Sequence, residues 1–150
     1  MTAYALSSSD KTEQFGAALA ALLLPGDVVT LTGDLGAGKT TLTRGLICAL
    51  CGAGTEVPSP TYTLVQTYPF EAFPVWHFDL YRLDTPDDIF ELGWTETASG
   101  VAILEWPERA MEHMPRYRLN IRLETVGDAR KAILEPFGED WQTRLDGFEF

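Results

Sequence analysis

Val28-Val29-Thr30-Leu31-Thr32-Gly33-Asp34-Leu35-Gly36-Ala37-Gly38-Lys39-Thr40-Thr41 decides the fold of this chain. Its first five residues are apolar or β-branched, as a buried strand requires, and a helical pattern begins directly after the last glycine. Between them Gly33, Gly38, Lys39 and Thr40 carry the spacing GxxxxGK[ST], in the strand-loop-helix setting that identifies a phosphate-binding P-loop. Glycines let backbone N–H groups turn inward around phosphate oxygens, and the following helix adds its positive end. Lys39 is expected to reach the β- and γ-phosphates, and the Thr40 hydroxyl to ligate Mg²⁺, which prefers hard oxygen donors. The stretch therefore predicts binding of a nucleoside triphosphate.

Working outward, Thr2 to Leu6 reads as a short strand, and Asp10 with Glu13 as a helix start ahead of Phe15, Leu19, Leu22 and Leu23. Pro25-Gly26-Asp27 turns the chain into the P-loop strand. Beyond the loop, Leu42, Leu46, Ile47 and Leu50 mark a buried helical face that ends at Gly52 and Gly54. Ser59 to Val65 alternates hydroxyls with apolar groups after a rigid turn, as a strand with one polar face would. In Val75 to Leu83, a period of two places His77, Asp79 and Tyr81 on a face for chemistry and Trp76, Phe78 and Leu80 on a core face. Thr85-Pro86-Asp87-Asp88 predicts a helix start, and Gly100 to Leu104 a buried strand that ends in Glu105. From Tyr117 the alternation predicts a hairpin turning at Gly127-Asp128 on the sheet edge. The acidic, aromatic tail after Gly138 carries no pattern that fixes its place.

A P-loop needs an acid on a neighbouring strand to hold Mg²⁺ or its waters, and two candidates present themselves. Glu105 ends an apolar strand, the stronger positional argument; Asp79 sits among aromatics, where its carboxylate needs a cation, water or donors nearby. Thr61 and Thr63 offer hydroxyls where nucleotide-sensing switch segments lie, and His77 is either a proton acceptor or a structural hydrogen-bonder.

Length and composition bound these readings. At 150 residues and 45% hydrophobic, one domain spanning 1–150 is expected. A net charge of −11, from 22 acidic against 11 basic side chains, disfavours direct binding to bare nucleic acid, so contact with RNA would run through a partner. The first residues lack a signal-peptide pattern and no apolar run is of membrane-spanning length, which predicts a cytoplasmic protein. Cys48 and Cys51 form a CxxC without the further ligands of a zinc site, and read as two small buried residues.

In combination, GDLGAGKTTLTRGL (33–46), SPTYTLV (59–65), HFDLYRL (77–83) and EWPE (105–108) are similar, in order and spacing, to the bacterial TsaE (YjeE) family, ATPases required for tRNA threonylcarbamoyladenosine biosynthesis. The similarity also takes in Ser9, Thr12, Gly16 and Arg130; Tyr62 stands where the family usually has Phe. It implies a small cytoplasmic ATPase that acts with the TsaB and TsaD proteins, uses ATP and Mg²⁺, and meets tRNA only through them. It further implies that Asp34, Leu35, Gly36, Ala37, Gly38, Lys39, Thr40 and Thr41 form the phosphate loop, and that Thr40 and Glu105 are the metal ligands. Asp79 would then serve hydrolysis, Ser9 and Thr12 would lie near the adenine, and Glu108 would approach the nucleotide.

The expected fold is α/β: a P-loop NTPase-like three-layer sandwich with a mostly parallel sheet and antiparallel C-terminal edge strands. The expected reaction is ATP hydrolysis, slow in the isolated chain because no arginine is clearly placed as a finger. A small-molecule kinase would need an arginine-bearing lid, which no segment supplies, and a GTPase would need a guanine-reading NKxD, which is absent. A nucleotide-holding scaffold without hydrolysis is the remaining alternative.

Overall fold

The computed structural model describes residues 2–150. The elements run β1 (Thr2–Leu6), α1 (Ser9–Ala20), β2 (Val28–Thr32), α2 (Lys39–Cys51), β3 (Val65–Tyr68), β4 (Val75–Asp79), β5 (Val101–Glu105), β6 (Arg118–Val126), β7 (Ala129–Phe137) and α3 (Glu139–Leu145). Three 3₁₀ stretches, Pro86–Leu92, Trp94–Ser99 and Pro107–His113, flank β5 in sequence.

All seven strands form one sheet in the order β1-β7-β6-β2-β5-β4-β3. The pairings β6/β2, β2/β5 and β5/β4 are parallel; β1/β7, β7/β6 and β4/β3 are antiparallel. The sheet is thus evenly mixed, and the expected parallel majority is confined to its centre. The hairpin β6/β7 is not the edge either, because β1 pairs outside β7. Periodicity reveals strands, but the partners of β1 and β2 are fixed by packing distant in sequence.

Each face of the sheet buries its own core. Val29, Leu31, Val75, Val101 and Ile103 meet Phe15 and Leu19 of α1 and Leu42, Leu46 and Ile47 of α2. On the reverse face Val28, Phe78, Ala102 and Leu104 meet Leu80, Leu83, Ile89 and Ala110, the last two on the 3₁₀ stretches. Both faces of β4 are therefore interior: His77 and Asp79 are buried, as is Phe78 behind them. This corrects the expected division into one core face and one face for chemistry. Tyr81 lies beyond the strand, which stops at Asp79, and is partly exposed.

α1 starts two residues earlier than its acids suggested, with Ser8 as cap accepting a hydrogen bond from the Lys11 N–H at 3.2 Å. It crosses α2 backbone to backbone. A Cβ on Gly16 would lie 2.1 Å from the Leu42 carbonyl oxygen, and one on Gly45 would lie 1.9 Å from that of Glu13. The tail does dock. Trp141 of α3 is buried, the Arg144 guanidinium grips both oxygens of Asp27 at 2.6 and 2.8 Å, and Phe148 and Phe150 pack edge-on against Phe15.

Cys48 and Cys51 are free, and burial, with Cys48 adding to it, pushes the Cys51 thiol up. That is the opposite of a reactive thiolate. Among the described residues no helix is long and apolar enough to cross a membrane.

Candidate phosphate and metal site

The site lies where the parallel strands β2, β5 and β4 end, the crevice in which open α/β sheets receive ligands. β2 is buried almost throughout and delivers the loop from the middle of the sheet. Gly38 caps α2 with φ of +104°, in the left-handed region that a side chain rarely adopts, and no side chain caps the helix. The first N–H groups of α2 therefore remain available to an anion.

A cleft of about 240 Å³ opens beside the loop, walled by Lys39, Thr40, Thr61, Asp79, Glu105 and Trp106. Asp79 and Glu105 lie opposite each other in the β4/β5 register, and both are nearly buried. The Thr40 hydroxyl donates to Glu105, with both carboxylate oxygens at 3.0 Å, and His77 Nε2 lies 2.6 Å from Oε2 of the same carboxylate. Asp79 accepts from the Thr61 hydroxyl at 3.1 Å and from the Tyr81 N–H at 3.0 Å. One hydroxyl and two carboxylates thus converge as hard oxygen donors, a set suited to Mg²⁺ and poorly suited to softer metals.

Lys39 is buried, and its Nζ donates to the carbonyls of Gly33 and, at 3.2 Å, Asp34. The Trp106 ring covers it, with the centroid 3.8 Å from Nζ. Burial lowers the Lys39 pKa from its ordinary value, while the carboxylates of Glu105, Glu108, Asp79 and Asp34 pull it back up. Trp106 itself has φ of +59°, an unusual conformation for a bulky residue, and its ring rests on Tyr81 at 4.9 Å between centroids. Trp106 belongs to the EWPE stretch that carries the family resemblance, but no role was expected of it.

The segment expected as a strand from Ser59 is instead a turn. Pro60 has no N–H for a ladder, its carbonyl accepts from the Leu64 N–H at 2.7 Å, and Leu64 has φ of +69°, so β3 begins only at Val65. The turn carries Thr61 to Asp79 and points Thr63 elsewhere, where its hydroxyl accepts from Gln66 at 3.3 Å. Glu108 is exposed on the 3₁₀ stretch beyond Trp106 and does not wall the cleft.

On the far side of the loop a second pocket of about 250 Å³ is lined by Ser9, Thr12, Gly36, Gly38, Thr41 and Arg130. Arg130 donates to the Gly36 carbonyl at 3.1 Å, tying β7 to the loop. Leu35, at the loop tip, is largely exposed, and Ala37 is buried beneath it. A larger groove, about 840 Å³ beside Asp27, Tyr117, Trp141 and Arg144, contains none of the residues expected to act.

Residues 6–133 match the family model described as threonylcarbamoyl adenosine biosynthesis protein TsaE. The chain is 40% identical over 127 residues to the tRNA threonylcarbamoyladenosine biosynthesis protein TsaE of Rickettsia bellii, covering 84% of this chain and 88% of that one. It is 39% identical over 126 residues to the protein of the same name from Bacillus subtilis, covering 83% and 78%. The crystal structure of Bacillus subtilis YdiB superposes with a TM-score of 0.81 at 30% identity, covering 98% of this chain and 93% of that one.

Proposed function

This chain belongs to the TsaE family, and from that footing we propose that it takes part in tRNA threonylcarbamoyladenosine biosynthesis as an ATPase that works with the TsaB and TsaD proteins. The observation that carries the catalytic reading is the convergence of Thr40, Glu105 and Asp79 beside an uncapped P-loop helix.

In this reading the loop amides from Asp34 to Thr41 hold the phosphates. Lys39 leaves the Gly33 and Asp34 carbonyls for the β- and γ-phosphate oxygens, where it offsets charge that builds on them. Thr40 and Glu105 hold Mg²⁺, which when bound neutralises phosphate charge. Asp79 orients the attacking water toward the γ-phosphorus, and the bond to the β–γ bridging oxygen breaks to leave ADP and phosphate. Ser9 and Thr12, in the pocket behind the loop, receive the base end of ATP. Thr61 reports the γ-phosphate to the turn it belongs to, Thr63 stays outside the cleft, and Glu108 adds to the acidic field around Lys39.

The residues walling the cleft include no arginine among those described. Arg82 is exposed and stacks over Tyr62, its guanidinium carbon 4.9 Å from the ring centroid. This supports slow hydrolysis by the isolated chain and acceleration when partners complete the site. The net charge of −11 supports contact with tRNA through those partners.

Phosphate release by wild type and Lys39→Ala, each alone and with TsaB and TsaD, tests the proposal. We expect stimulation of the wild type of at least about tenfold, and release by the variant reduced about 10²-fold or more, as for loss of a preorganised charge at the developing anion. A wild type that releases no phosphate with both partners present is a scaffold and defeats the reading.

A further inference from the structure

His77 has no part in the reaction described above. It is fully buried on β4, opposite Ile103 and on the same face as Val75 and Asp79. Its Nδ1 has no hydrogen-bond partner. A buried polar atom without a partner is unfavourable, and an apolar ring would fill the same space without that loss. The gain must come from the other nitrogen.

That nitrogen, Nε2, lies 2.6 Å from Oε2 of Glu105. An ionised carboxylate only accepts, so Nε2 carries the hydrogen and donates it. Glu105 has one other side-chain tether, the Thr40 hydroxyl. A hydroxyl that turns a lone pair to Mg²⁺ keeps its one hydrogen for Glu105, so Thr40 holds the carboxylate from the cleft side, and the His77 bond holds it from inside the core. The His77 bond thus fixes Oε2 from the core side of a residue that lines the cleft.

We propose that His77 is a positioning residue that holds the Glu105 carboxylate in the orientation required for Mg²⁺ binding. This rests on the assignment of Glu105 to the metal in the proposed function. Histidine–carboxylate pairs at metal sites usually have the imidazole on the metal and the carboxylate behind it; here the order is reversed, with the same effect of fixing the ligand's direction.

The test uses the full chain with ADP and Mn²⁺ as a paramagnetic probe for Mg²⁺, in wild type, His77→Phe, His77→Gln and His77→Asn. Gln keeps an N–H donor near the position of Nε2, and Asn presents one too short to reach. Free Mn²⁺ is followed by electron paramagnetic resonance, ADP affinity in chelator by calorimetry, and folding by thermal melting. We expect ADP affinity without metal to be the same in all four proteins. Mn²⁺ affinity in the presence of ADP should fall about 10- to 100-fold in His77→Phe and His77→Asn and return to within about threefold of wild type in His77→Gln. His77→Phe leaves the buried Glu105 carboxylate without its core-side donor and should melt lower than wild type, so the contrast between Gln, which restores the donor, and Asn, which does not, separates positioning from support of the core. Should His77→Phe fail to fold, the contrast between Gln and Asn decides the same question. Equal Mn²⁺ affinity in wild type and His77→Asn, or equal loss in Gln and Asn, overturns the role of His77 while leaving the ATPase reading intact. A wild type whose ADP complex takes up no Mn²⁺ overturns both.

Discussion

Glu105 and Asp79 end adjacent parallel strands, face each other in register and are nearly equally buried, yet different kinds of structure hold them. Glu105 is gripped by Thr40 on the first turn of α2 and by His77 inside β4. Asp79 is gripped by its own chain two residues on and by Thr61, which belongs to an irregular turn. The first acid is set by the sheet and helix; the second is coupled to an irregular turn in which Pro60 is buried and Leu64 packs on the core while Thr61 itself is only partly buried. A constant task such as metal holding suits the former, and a conditional task such as aligning water suits the latter.

The sharpest way to break this contrast is to neutralise each acid in turn. Glu105→Gln should reduce phosphate release about 10³-fold and abolish the tightening of nucleotide binding by Mg²⁺, because a charged oxygen donor is lost. Asp79→Asn should reduce release about 10²-fold, as expected for loss of a water-orienting group, and leave the Mg²⁺ effect on affinity in place. Calorimetry with and without Mg²⁺ distinguishes them, and an equal loss of the metal effect in both would erase the division of labour.

A smaller effect should follow at the turn. Thr61→Ala removes the tether on Asp79 and should slow release about tenfold, with melting unchanged within about 0.5 kcal/mol, the usual range for a site outside the core. Thr61→Ser should restore the rate. A Thr61→Ala protein of wild-type rate would show that Asp79 is held well enough without the turn.

The smallest effect is expected at Trp106. Its ring covers the Lys39 ammonium, an interaction of about 0.5–2 kcal/mol. Movement of Lys39 to a phosphate removes that cation, so ATP should change Trp106 emission, and Trp106→Phe should abolish the change while altering release by no more than about threefold. Emission that ignores saturating ATP would mean that Lys39 stays beneath the ring.

The sequence was most readable where chemistry is local. β2, the loop, β5 ending in Glu105, and the β6/β7 hairpin follow from residue type and spacing, and the structure has all of them. Thr85 does start a helical turn, its N–H donating to Asp88 at 3.1 Å, although the turn is 3₁₀. Sheet order was harder to read, since β1 pairs with β7 and β2 inserts between β5 and β6, contacts distant in sequence. The late start of β3 was hidden because a left-handed leucine has no compositional signature. Within the site, Glu105 was legible as an acid at a strand end and Asp79 as an acid among aromatics, read as mid-strand although β4 stops there, whereas the bond from His77 to Glu105 and the cover of Trp106 over Lys39 exist only once separate elements meet.

The crossing of α1 on α2 bears on the pocket behind the loop. Gly16 and Gly45 bring main chain against main chain, and that contact sets how far Ser9 and Thr12 stand from Gly38. Side chains in an ordinary helix crossing can change rotamer and absorb a displacement; at Gly16 and Gly45 there are none to do so. The two helices therefore transmit force like a welded joint, and the width of the pocket is a dimension of the frame that no local adjustment can retune.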